Sequence, residues 1–469
     1  MAGTRQDNAC AVAEQALGSD LAPAGGRPLL GWLGRTLEML FPPAPAPPLR
    51  TRSRGRTLRS AIAYVGVLGL GAGVLLIRQA GTPSWSTLWA EDGGVFRPRA
   101  LAHPWSSLLH EQAGYLQLVP QLIADIVTRF PARPDAAGFA IAGALVTSGC
   151  AIFVYHASSG HIHRPGLRAL LGCSVLLLPT AVIEIANSGV DAPWYLMYAL
   201  FWALIWRPRS RPGQAVAMAL AFVTMASNIL NLLYLPLVAA RVLALPRARE
   251  QAVTFGWLAG IAYQIPGILQ SREPDHIGPV PAAFHFYGQH VLVAAVAGWR
   301  LALRLQAAAG IAACIAIAAL VVAAVVAWAA WQGGSRVCVL AVAALGMGVI
   351  LTIVPALLRT WIGPATSTDI WVPGSRYTTS AILLIDGIAI AGVDAFLRRT
   401  DIPLRRAGRG TAVLLLVIGL SIGWSTSFRY PNLRSGNAPL SRTQAGVVRN
   451  LDAGRAVVTN PPVTTLPLA

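Results

Sequence analysis

The chain has 469 residues, of which 55% are hydrophobic and only 12% charged, with a mean hydropathy of +0.57. That balance excludes an ordinary water-soluble globule and points to an all-α, polytopic transmembrane bundle, since a segment crossing lipid must pair its own backbone groups. The formal net charge of +18 invites a nucleic-acid reading, but its distribution argues against one. All 37 basic residues are arginines, set in short groups between apolar runs with no basic-aromatic module among them.

Residues 1–58, rich in Ala, Pro and Gly, read as a disordered cytoplasmic extension, because such a composition cannot build a core. Arg50, Arg52, Arg54, Arg56 and Arg59 precede the first long apolar run and hold this side in the cytoplasm. The helix at 59–78 then emerges on the exoplasmic side. The stretch 114–130 is interrupted by Pro120 and Asp125, while Leu116, Val119, Ile123, Ile126 and Val127 recur on one side. It is expected to lie along the outer surface as an amphipathic helix. Further spans are expected at 136–155, 168–185, 191–206, 213–229, 230–245, 252–270, 307–330, 337–358, 378–397 and 411–426. The segment 289–305 carries Arg300 and Arg304 and is expected to be a second exoplasmic surface helix. These readings give about eleven spans in a transmembrane domain over 59–427, with an exoplasmic tail over 428–469.

In that orientation the unusual polar residues gather at the outer ends of the helices. Glu91 and Asp92 sit in WAEDGGVF, beside two glycines that let the backbone turn sharply. Glu184, Asn187 and Asp191 follow the third span, where helix capping competes with a binding role. Arg376 and Tyr377 precede the tenth. An outer arginine opposes the positive-inside trend, so it either snorkels to headgroups or holds a phosphate by a forked hydrogen bond. His276, His285 and His290 have no metal-ligand spacing, nor do the five cysteines. Arg272, Arg300, Arg304 and Arg359 are alternative phosphate ligands. There is no phosphate-binding loop, dinucleotide fingerprint, zinc-protease helix or nucleophile elbow.

The loop-one acids of WAEDGGVF, together with AGYLQLVPQLIA, NSGVDAPWYLMYALFWALIWRP and GSRYTTSAILL, resemble the GT-C class of integral-membrane glycosyltransferases. The nearest likeness is to a bacterial group of such proteins, with a distant one to protein O-mannosyltransferases. The resemblance covers most of 59–430 and implies an enzyme of the bacterial inner membrane with an exoplasmic active site. It implies a polyprenyl-phosphate sugar as donor and a glycan, lipid or protein hydroxyl as acceptor. Asp92 would be the base and Glu91 a supporting acid, with the two roles exchangeable, and Glu184, Asn187, Asp191, Arg376, Tyr377 and His285 would contact substrate. The adjacency of Glu91 and Asp92 departs from the spaced acids of the better-known members. A divalent cation is the one cofactor this chemistry admits. The competing readings are a transporter or flippase of lipid-linked saccharides, and a non-enzymatic membrane scaffold.

Overall fold

A computed structural model of the chain describes residues 28–45, 54–80, 84, 88–89, 91–130, 135–181, 185–271, 277–358, 374–399, 403–428 and 430–431. Among these residues the chain is helical nearly throughout. A two-residue parallel pairing of Gln79–Ala80 with Tyr430–Pro431 is the one strand pair. The helices are α1 (Pro28–Leu40), α2 (Arg54–Arg78), α3 (Arg97–Ala102), α4 (Leu118–Val127), α5 (Asp135–Ala157), α6 (Pro165–Leu177), α7 (Ala192–Ile205) and α8 (Arg211–Ser227). They continue with α9 (Leu235–Ala244), α10 (Ala252–Gln270), α11 (Val280–Tyr287), α12 (Ala294–Ala309), α13 (Ile311–Leu358), α14 (Ser375–Arg398) and α15 (Pro403–Thr426). Among the described residues six segments are long and apolar enough to cross a membrane: Ala61–Arg78, Asp135–Gly160, Ala248–Gln270, Val280–Ala309, Ile311–Leu358 and Ser375–Arg398.

The core lies along α7 and α14. Every residue of α7 is buried, and so is 89% of the apolar window of α14. Such helices are apolar all round because neighbours cover every face. The outer helix α2 is the opposite case, with only 22% of its window buried and Ile62, Val65 and Leu70 turned outward. An apolar face left open in this way is what a lipid-facing helix presents.

α13 is not one rod. Gly334 (φ +59°) breaks it, and both halves pack on α14. In the first half Ala329 lies where a side chain at Gly392 would stand, 2.5 Å away. In the second, Gly348 faces Ala381 and the Thr352 hydroxyl donates to the Tyr377 carbonyl at 3.2 Å. The two apolar segments expected at 307–330 and 337–358 are these two halves.

Four expectations need correction. The helix expected over 168–185 stops at Leu177, where Pro179 follows and the Arg78 guanidinium takes the last carbonyls. The segment 289–305 is not a separate surface helix. It belongs to Val280–Ala309, which runs through a π turn at Gly288–Val293 and bends at Gly298 (φ +65°). A side chain at Gly298 would meet Gly423 of α15 at 2.9 Å, so the bend keeps this segment against the bundle. The helix α4 is wedged in rather than laid on the surface. Its buried face takes in Gln121 and Asp125 besides Val119 and Ile123, and the Ser227 hydroxyl meets its Val119 N–H at 3.1 Å.

The fourth correction concerns the extension. Residues 28–45, expected to be disordered with the rest of 1–58, form α1 and a docked strap. Phe41 is fully buried, and His161 Nε2 donates to the Leu40 carbonyl at 3.2 Å. Burial, reinforced by the charge of Arg336, pushes the His161 pKa down to about 3, so the ring stays neutral there. The tail expected at 428–469 lies outside the described residues except for Phe428 and Tyr430–Pro431.

Glycines permit the closest helix contacts. At Gly256 of α10 an added methyl would collide with the Met218 carbonyl of α8, whereas nothing stands within 4 Å of the equivalent point at Gly149. Gly256→Ala is therefore expected to lower stability by about 1–3 kcal/mol, and Gly149→Ala to leave it unchanged or slightly raised. Thermal unfolding of the two variants in detergent tests the contrast; equal melting temperatures would contradict this packing.

Candidate functional site

The site is built on residues 178–181 and 185–191, irregular parts of the connection between α6 and α7. Backbone groups buried without water need partners, and three polar side chains tie this connection to distant elements, two reaching in and Asn187 reaching out. Arg78, with no exposed surface, donates to the carbonyls of Leu176 at 2.5 Å and Leu178 at 2.9 Å. Asn187 takes a left-handed conformation (φ +58°), which Asn tolerates, and its Nδ2 donates to the Leu75 carbonyl at 2.8 Å. The third is Asp92.

The Asp92 carboxylate is 1% exposed and accepts from one loop through both oxygens. Its Oδ1 receives the Val190 N–H at 2.8 Å; its Oδ2 receives the Gly189 N–H at 2.9 Å and the Ser188 hydroxyl at 3.1 Å. Two glycines make this approach possible. A side chain at Gly189 would meet Asp92 Oδ1 at 3.0 Å, and one at Gly143 would meet the Ser188 carbonyl at 2.6 Å. Asp92 opens a π turn, Asp92–Phe96, whose extra residue per turn redirects the side chains around it. Glu91 precedes that turn, is half-buried, and makes no hydrogen bond or ion pair with a described residue. The adjacent acids therefore occupy different environments: one is held by the loop and the other is presented.

Beyond the loop, Asp191 is buried at the start of α7 and faces Arg376 of α14, Oδ1 to Nη1 3.8 Å. Arg376 is 21% exposed. The next residue, Tyr377, stands edge-on to Trp194 with ring centroids 5.0 Å apart, tying α14 to α7. The structure thus brings together Asp92, Glu91, Asn187, Asp191, Arg376 and Tyr377 around one connection. It does not bring in His285, which is exposed on α11; its neighbour Phe286 lies 3.4 Å from the position a side chain would take at Gly374. Glu184, His276, Arg272 and Arg359 lie outside the described residues. Among the described residues no three His, Cys, Asp or Glu side chains gather as a metal would require.

Several polar residues of the site were not singled out from sequence. Arg78 closes the same apolar run that Arg59 opens, a lone basic residue at its far end, and that signal was available. Ser188 carried none. Asp386, at the middle of α14, does stand out as a lone acid within an apolar run. It lines a cavity of about 610 Å³ walled by Val322, Trp328, Val393, Leu416 and Leu420.

Comparison with protein-family models, curated proteins and solved structures finds no match to this chain.

Replacing Asp92 by Asn would leave an amide N–H₂ facing backbone donors. Asp92→Asn is expected to cost about 1–3 kcal/mol of stability, and Ser188→Ala about 0.5–1.5 kcal/mol. Glu91→Gln should cost nothing measurable. Unfolding midpoints of the three variants decide this; a destabilised Glu91→Gln beside an unaffected Asp92→Asn would reverse the assignment.

Proposed function

We propose that the protein is a GT-C-type glycosyltransferase of the bacterial inner membrane. It would cross the bilayer about eleven times, with the N-terminus in the cytoplasm and the Asp92 end outside. It would move a sugar from a polyprenyl-phosphate donor to a hydroxyl of an exoplasmic glycan, lipid or protein.

The observation that carries this reading is the unequal treatment of two adjacent acids. Transfer to a hydroxyl needs a carboxylate free to take its proton during attack. Glu91, half-buried and without an internal partner among the described residues, suits that role. Asp92, engaged through both oxygens, suits the holding of Glu91 in place. Arg376, accessible and steered by Asp191, suits the departing lipid phosphate, whose growing charge a guanidinium fork stabilises. A donor on a prenyl chain would keep its tail in the bilayer while its head reached this end of the bundle. Direct displacement with a single base gives inversion at the anomeric carbon.

Glu91→Gln is expected to lower transfer about 10²–10⁴-fold at unchanged melting temperature, and Arg376→Ala to raise the donor requirement. Mass spectrometry of envelope glycans and lipid-linked sugars in a deletion strain, complemented with each variant, supplies the assay. Full activity in Glu91→Gln, or a retained anomeric configuration in the product, would remove the single-base mechanism.

One observation favours the transporter reading. Asp386 places an ionisable group at mid-helix beside an apolar cavity, where transport pathways keep their charges. If transport is the activity, Asp386→Asn abolishes movement of lipid-linked saccharide across proteoliposomes while Glu91→Gln does not; the transferase reading expects the reverse ranking in envelope glycan content.

A further inference from the structure

The opposite end of α7 from Asp191, about 20 Å away along the helix, opens on a second constellation. Arg207, Arg209, Arg241, Arg247 and Arg249 line a cavity of about 380 Å³, with Glu250 as the one carboxylate in its wall. The positive-inside bias accounts for arginines at this end of the bundle. It does not account for five of them turned around one hollow, where like charges repel unless an anion sits between them.

Two of the five are built into the floor. Arg241 is 2% exposed; its Nη1 donates to the carbonyls of Leu204 at 2.5 Å and Trp206 at 2.9 Å, and its Nη2 to that of Glu250 at 2.6 Å. Arg207 donates to the Phe41 carbonyl at 3.2 Å and to Glu250 Oε1 at 2.8 Å. Each keeps a buried Nε–H with no hydrogen-bond partner among the described residues. Arg209, Arg247 and Arg249 are exposed at the rim. Pro43 of the docked N-terminal strap closes one side, held by the Ala44 N–H on the Arg207 carbonyl.

We propose that this cavity is a binding site for a phosphate group, borne by an anionic lipid headgroup or by a free phosphate or pyrophosphate anion. Guanidinium forks match phosphate oxygens in geometry and charge. The hollow falls in the size range of small-ligand sites. Five guanidinium groups against a single carboxylate leave it strongly anion-selective. This site does not depend on the transferase reading, since it lies at the other end of the bundle.

The full-length protein in detergent is titrated with inorganic pyrophosphate by calorimetry. In parallel it is extracted from phosphatidylcholine vesicles doped with phosphatidic acid, and retained lipid is counted by native mass spectrometry. Saturable one-to-one binding of either probe is expected. It should weaken at least about tenfold in Arg247→Gln/Arg249→Gln and hold in Arg398→Gln/Arg399→Gln, which removes equal charge from the same end. Pyrophosphate binding alone assigns a soluble anion, and phosphatidic acid binding alone assigns a headgroup. Should the Gln pair not fold, Arg247→Lys/Arg249→Lys keeps the charge, loses the fork and carries the same comparison. Binding by neither probe, or equal weakening in the lining and control pairs, would overturn the site in favour of diffuse surface charge.

Discussion

Irregular backbone inside an apolar bundle must be paired by side chains, and the connection 178–191 is where this constraint weighs most. Arg78, Asn187 and Asp92 come from segments about a hundred positions away or from the loop itself, yet each answers a specific backbone group. Removing one strands a buried carbonyl or N–H, at about 1–3 kcal/mol each. The bonds therefore do two things together: they let α6 end early, and they set the C-terminal end of α2 and the turn at Asp92 against the start of α7. Everything presented at that end, Glu91 included, inherits its position from them.

Seen this way, the adjacency of the two acids has a physical sense. Successive residues in a helical turn point about 100° apart, so neighbouring carboxylates cannot serve one purpose equally. One turns inward to the Gly189 and Val190 amides while the other is left at the surface. Spaced acids would need two anchoring points on the loop, whereas an adjacent pair needs one. Gly143 and Gly189 are part of the same solution, because a methyl at either would push the connection off the carboxylate.

Much of the helical layout was legible from hydrophobic periodicity. The segment expected at 191–206 is observed as Ala192–Ile205, and 252–270 as Ala252–Gln270. What periodicity could not carry was any boundary set by a distant partner. The stop at Leu177 depends on Arg78, and the docking of Phe41 depends on a pocket formed by Arg207 and Arg241. A Pro- and Ala-rich composition says nothing of such a pocket, so the order of 28–45 was hidden. Of the candidate site, Asp92, Asn187, Asp191, Arg376 and Tyr377 converge because all flank helix ends on one side. His285 shares that side but points away, a matter of helix phase within a short segment. Asp386 was visible as an anomaly, but the cavity beside it was not.

The arginines divide in a way that charge counting obscures. α6 and α7 have 13 and 14 residues, so each spans only about 20 Å and ends short of a hydrocarbon core about 30 Å thick. Their last carbonyls are then exposed to apolar surroundings instead of water. In both cases a buried guanidinium answers them: Arg78 takes Leu176 and Leu178, and Arg241 takes Leu204 and Trp206. An arginine suits this task because its planar fork reaches two carbonyls at once and complements the negative end of the helix dipole. These two arginines sit at opposite ends of the bundle, so their placement follows helix length and not membrane side. The excess of positive charge is thus partly structural. Arg209, Arg247 and Arg249, exposed at the rim around Arg241, make no hydrogen bond to a helix-end carbonyl among the described residues, so they carry charge without that structural duty.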